Sequence, residues 1–147
     1  MQQLDQRTKN HTLQLSRCDL SADDLMIVII YLNQHQDISS LDLSYNYLNA
    51  DVTDKIVPLL AQIKTLTSLN LAASNISNSS IVALANSSTI TDLDLYKVTD
   101  SSGDVSKEMN PEAVEALAND HALTSLDLSA NAFISDPNVE LAKSISL

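Results

Sequence analysis

Five stretches of the chain align with one another without a gap. They begin at Asn10, Ile38, Leu66, Ile90 and Leu123, so their starts are 28, 28, 24 and 33 residues apart. The fourth and sixth positions of every stretch are leucine, as in Leu13 and Leu15, Leu41 and Leu43, or Leu126 and Leu128. A second register runs ahead of the first. Leu32, Leu60, Leu84, Leu117 and Leu141 each stand six residues before the next unit, and Ile29, Val57, Ile81, Val114 and Asn138 stand three residues before those. Apolar residues two apart predict a strand and apolar residues three apart predict a helix, so each unit reads strand, turn, helix. One such unit cannot bury its own apolar face. Several stacked side by side can.

The helix starts are also signalled. Ser21 and Asp24 have the spacing of a capping box. Asn110-Pro111 and Asp136-Pro137 each offer an N-cap followed by proline at the first helical position. Pro58 falls inside the second helical pattern, which predicts that this helix starts late or is irregular.

The unit reads L-x-x-L-x-L-x-x-N/C-x-L and resembles the leucine-rich repeat family over residues 10–147. Unit lengths near 28 with a helix in each are similar to the ribonuclease-inhibitor-like subclass. The resemblance implies an α/β fold: a horseshoe-shaped solenoid of about five repeats, with a parallel concave sheet and convex helices. It implies a single domain over 1–147, with an N-terminal extension at 1–9, repeats starting near 10, 38, 66, 90 and 123, and an insertion at 100–110. Strands stack about 4.8 Å apart and helices about 8–10 Å apart, which forces curvature with the strands inside. Asn46 and Asn131 occupy a slot where a buried amide can bond the backbone of adjacent turns, and Cys18 and Ser74 occupy it more weakly. In the fourth unit Val98 and Asp100 replace the expected Asn and Leu, which predicts a distorted turn. Leu147 falls at the first position of a sixth unit, so the expectation is a fragment of a longer repeat protein or a last helix that acts as the cap.

Composition narrows the function. The chain has 147 residues, 8 Lys and Arg against 19 Asp and Glu, and a net charge of -11. That charge repels phosphates, so neither a nucleic acid nor an anionic membrane is an expected partner. One cysteine precludes an internal disulfide, and one glycine precludes a glycine-rich phosphate loop or a nucleophile elbow. The longest apolar run, Met26 to Leu32, is too short to cross a bilayer, and the N-terminus lacks the apolar stretch of a signal peptide. The expected protein is soluble and cytoplasmic, or delivered into a host cell without a cleaved signal.

Catalytic and metal-ligating sets are not expected, nor is a cofactor. His11, His35 and His121 fall at a strand start, a helix end and a turn, without a shared ligand spacing. Cys18 sits in the ladder slot, which makes it a buried structural residue rather than a nucleophile. The outward residues of the strands are more informative. Asp42, Asp92, Asp94 and Asp127 lie on or beside the polar rows, with Tyr96 among them. Arg17, Tyr45 and Lys97 follow in the turns. Acids that a partner's Lys or Arg would relieve, beside tyrosines that are common interface anchors, point to a partner-binding set: Arg17, Asp42, Tyr45, Asp92, Asp94, Tyr96, Lys97 and Asp127. The insertion should protrude beside them as a second contact arm. The expected function is a non-enzymatic module that binds a partner protein through its concave face. The family resemblance implies an inhibitor covering the active site of an enzyme. The short Ser/Asn-rich repeats also resemble repeat-only effectors of intracellular bacterial pathogens, whose partner is a host protein or another bacterial effector. The alternative is the substrate-recognition part of a larger enzyme such as a ubiquitin-ligase effector.

Overall fold

A computed structural model describes residues 2–99 and 107–134. The chain opens with helix α1 (Gln2–Arg7) and strand β1 (Thr8–Lys9). Strands β2 (Thr12–Gln14), β3 (Ser40–Asp42), β4 (Ser68–Asn70), β5 (Asp92–Asp94) and β6 (Ser125–Asp127) then alternate with helices α2 (Ala22–Gln34), α3 (Ala50–Leu60), α4 (Asn78–Ala85) and α5 (Pro111–Ala118). The result is a mixed α/β fold. Among the described residues it holds one six-stranded sheet in sequence order, β1-β2-β3-β4-β5-β6. β2 to β6 are parallel, and β1 pairs antiparallel with β2 at the sheet's edge.

The pairing register is the one set by the leucines. Leu13, Leu41, Leu69, Leu93 and Leu126 lie directly opposite one another along the sheet. They point to one face, where they meet the helical residues Ile29, Leu32, Val57, Leu60, Ile81, Leu84, Val114 and Leu117 in one continuous core. The polar partners Ser40, Asp42, Ser68 and Asn70 stand on the opposite face and are half-buried.

The caps form where the sequence placed them. Ser21 Oγ accepts the Asp24 N–H, and Asp24 Oδ2 accepts the Ser21 N–H. Asn110 Oδ1 accepts the Ala113 N–H, with Pro111 at the first helical position. The expected late start of the second helix is not found. Asn49 caps it through the Val52 N–H, so it begins at Ala50. Pro58 lies in its last turn, where the helix ends two residues later and the missing N–H costs little further pairing.

The ladder slot behaves as expected at its asparagines. Asn46 Nδ2 donates to the carbonyls of Leu15 and Leu43 at 2.8 Å, and its Oδ1 accepts the Cys18 N–H. Asn131 does the same between Leu95 and Leu128. The turn holding Val98 keeps its shape through Lys97, whose φ of 50° matches the 57° of Tyr45 and the 54° of Ala73. The departure comes after it. Val98 has no polar side chain, and the Leu71 carbonyl is met instead by the Ser74 N–H. Thr99 joins the Asn131 amide through its own N–H and Oγ1.

Cys18 is a correction. It is half-buried, not buried, because only the short α1 and β1 lie outside the first unit, with no further turn stacked on it. Its sulfur faces a crevice of about 330 Å³ beside Leu4 and Ile27. Arg7 donates to that sulfur at 3.2 Å, and the thiol points at the Ser16 carbonyl.

Of the insertion at 100–110, residues 100–106 lie outside those described. Its end does not protrude: Met109 is fully buried and bridges to Phe133. Asp136-Pro137, Asn138, Leu141 and Leu147, with the expected final cap, also lie outside the described residues. Among the described residues no helix is long and apolar enough to cross a membrane.

Candidate partner-binding surface

The strand rows do not stop where the strands do. Past each strand the backbone ladder continues for one more step, through the turns. Arg17 N–H bonds the Ser44 carbonyl at 3.0 Å, Tyr45 the Ala72 carbonyl at 2.8 Å, Ala73 the Tyr96 carbonyl at 2.8 Å and Lys97 the Ser129 carbonyl at 3.1 Å. The outward surface therefore has two adjoining parts, a strand floor and a rim of stacked turns. Both are held in register by main-chain bonds.

The floor gathers three of the expected residues. Asp92, Asp94 and Asp127 line a shallow hollow of about 300 Å³ together with Ser68, Asn70 and Ser125. Asp42 lies one strand further along, outside it. Most of these outward acids already carry a bond to the chain. Asp42 Oδ1 accepts the Ser44 N–H at 2.9 Å, Asp94 the Tyr96 N–H at 2.9 Å, and Asp127 the Ser129 N–H at 2.8 Å. Asn70 does the same for Ala72 at 2.9 Å. One oxygen of each side chain closes the strand-to-turn corner, which leaves the second carboxylate oxygen of each Asp, and the amide nitrogen of Asn70, to the surface. The Ser129 hydroxyl and amide also hold the Asp127 carboxyl below the usual carboxylate range, so it is ionised at neutral pH. Asp92 is exposed and, among the described residues, accepts only from the neighbouring Thr91 hydroxyl at 3.0 Å. Among the described residues no group of three His, Cys, Asp or Glu is placed to hold a metal ion.

The rim gathers the other four. The Arg17 guanidinium sits over the Tyr45 ring, 4.7 Å from its centre. Tyr45, Tyr96 and Lys97 line a hollow of about 350 Å³ together with Ala73. Three members of the rim were not singled out from the sequence. Tyr47 is 85% exposed and stands at the variable position between Asn46 and Leu48. Asn75 holds the same place in the next unit. Lys107, at the end of the insertion, lines the hollow beside Lys97. The signal for Tyr47 was available: a large aromatic at a position where the unit asks for nothing.

Comparison with known proteins adds the fold. No family model matches the chain, and no curated protein matches it. Among solved structures it is similar to one described as leiomodin-1 actin-binding site 2, with 18% identity and a TM-score of 0.66. The match covers 97% of this chain and 83% of the other. At that identity the likeness shows a shared fold.

Proposed function

We propose that the chain is a leucine-rich-repeat solenoid, its strands lining a concave wall. On this reading it is a non-catalytic module that binds one partner protein across the strand floor and turn rim. The observation that carries the reading is the continuous main-chain ladder beneath both. It presents Asp92, Asp94, Asp127, Tyr45, Tyr96 and Lys97 on a surface already ordered before binding, which lowers the entropic cost of association. The register of the five units supports the solenoid, because every strand pairs leucine to leucine with its neighbour. The leiomodin-1 fragment of similar fold is described as an actin-binding site, so a protein partner has a precedent on this architecture. The Cys18 sulfur has a guanidinium and a carbonyl as neighbours, neither of which is a base that could activate it. An interface of ordinary size, about 800 Å² on each side, fits this surface. A partner with a basic edge, such as an enzyme whose active site would be covered, suits the floor. On the resemblance to repeat-only bacterial effectors, such a partner is a host protein or another bacterial effector.

The test is affinity capture with the parent chain and with a variant carrying Asp94→Asn, Asp127→Asn and Tyr96→Ala, at two salt concentrations. A partner held by the parent at low salt should be lost or severely reduced with the variant. Equal recovery of every captured protein by both chains would remove this surface as the binding site.

A further inference from the structure

The rim differs in kind from the rest of the molecule. The chain has four tyrosines, of which Tyr31 is buried. The other three, Tyr45, Tyr47 and Tyr96, all line the rim hollow. The row of stacked turns reads Arg17, Tyr45, Ala73, Lys97, Ala130, so cations stand at its first and fourth places. The backbones of those two turns are three strand spacings apart, or about 14 Å. Between them Ala73 leaves an opening walled by Tyr45 and Tyr96.

An extended peptide advances about 3.3 Å per residue, with alternate side chains on one face. Residues four apart on it are therefore about 13 Å apart and point the same way. We propose that the rim binds an extended acidic segment of the partner, of pattern acid-x-apolar-x-acid. Its two carboxylates lie on Arg17 and Lys97, and its apolar side chain enters the hollow over Ala73. This rests on the protein-binding reading and specifies the partner's chemistry. A net charge of -11 repels such a segment over most of the surface, which confines it to this row. Screening within about 8 Å at physiological salt lets the local cations decide. The Tyr45 ring fixes the Arg17 guanidinium in place. Asp19 stands beside Arg17 at that end, so Lys97 is the stronger of the two anchors.

The probe is a capped peptide containing Asp-Ser-Leu-Ser-Asp, titrated into the intact chain and followed by amide chemical shifts. Its partners are the Lys-Ser-Leu-Ser-Lys peptide and an oligothymidylate. The acidic peptide should shift the Arg17, Tyr45, Ala73 and Lys97 amides, with a Kd of about 0.1–1 mM. Binding should weaken about tenfold in Lys97→Glu, and also at high salt. Ala73→Tyr should abolish it by filling the hollow, and Tyr45 already shows a tyrosine at that backbone position. No rim shifts with the acidic peptide, or equal shifts with the lysine peptide or the oligonucleotide, would overturn the proposal. The wider reading fails separately. Partner capture that is lost with an Asp94→Asn, Asp127→Asn variant but indifferent to Lys97→Glu breaks the rim proposal alone. Capture indifferent to both breaks the two together.

Discussion

The floor and the rim are built from the same backbone ladder, yet their side chains have different duties. On the floor Asp42, Asn70, Asp94 and Asp127 each spend an oxygen on a backbone N–H two residues on. On the rim Arg17, Tyr45 and Lys97 have no such task, and what they give up is conformational. All three have left-handed φ, between 50° and 57°. Polar side chains on a repeat's outward face are thus of two sorts. Those at a corner serve the fold first and a partner second. Those past the corner are held in place by the fold and are free to recognise.

Substitutions can sharpen that contrast. The scale is set beneath the floor, where Leu71 is fully buried. Leu71→Ala should cost about 2–5 kcal/mol in denaturant unfolding, and less than 1 would take that position out of the core. Asn46 joins the floor of two units to their turns with a buried amide. Asn46→Ala should cost about 2–4 kcal/mol, because it strands the Leu15 carbonyl and the Cys18 N–H, while the Leu43 carbonyl keeps the Ser74 hydroxyl. At the corner, Asp94→Ala should cost about 1 kcal/mol while Asp94→Asn costs almost nothing, since Asn70 already serves that slot with an amide. Equal losses for the two would mean that the charge, and not the acceptor, stabilises the turn.

The chain's own pattern made the strands legible, because a leucine pair marks each one and pairing follows the pattern at every step. The corner role of the acids was legible too. Their column reads Gln14, Asp42, Asn70, Asp94, Asp127, and from the second unit on it holds Asp or Asn, which share a side-chain oxygen at the same reach and differ in charge. A column that accepts both is selected for the acceptor. The antiparallel β1 was not legible, since Thr8 and Lys9 are too few for a period. Nor was the exposure of Cys18. Its slot is buried only where another turn stacks outside it, and in the first unit α1 covers it in part. Pro58 misled because its effect depends on its distance from a helix end set by the loop after it, not by the proline.

Acid should separate floor from rim again. The Asp127 carboxyl is lowered when folded, so its contribution is complete above the unfolded carboxyl value of about 3.9 and is lost as pH falls through the lower folded value. Asp54 behaves alike, held down by the hydroxyls of Ser77, Ser79 and Ser80. Asp127→Asn should flatten the acid side of the stability profile below about pH 4. Lys97→Ala should leave the profile unchanged there. An acid limb identical to the parent's in the Asn variant would show that the serine contacts do not favour the ionised form.

The smallest expected effect concerns the rim's backbone. A left-handed φ disfavours any residue with a Cβ, and among the described residues such residues stand at nine positions, while the sequence holds one glycine in all. Ala73, at 54°, is the mildest place to relieve it, because its side chain makes little of the core. Glycine gains freedom in the unfolded chain, which opposes the relief. The balance at a left-handed site favours glycine, so Ala73→Gly should stabilise by about 0.5 kcal/mol and raise the denaturant midpoint. It should also leave the acidic peptide's affinity within about twofold, because the hollow stays open. A destabilised glycine variant would mean that the main-chain bonds from Ala73 to Tyr96 and from Tyr45 to Ala72 already set that conformation at no cost, and that the rim is no more strained than the floor.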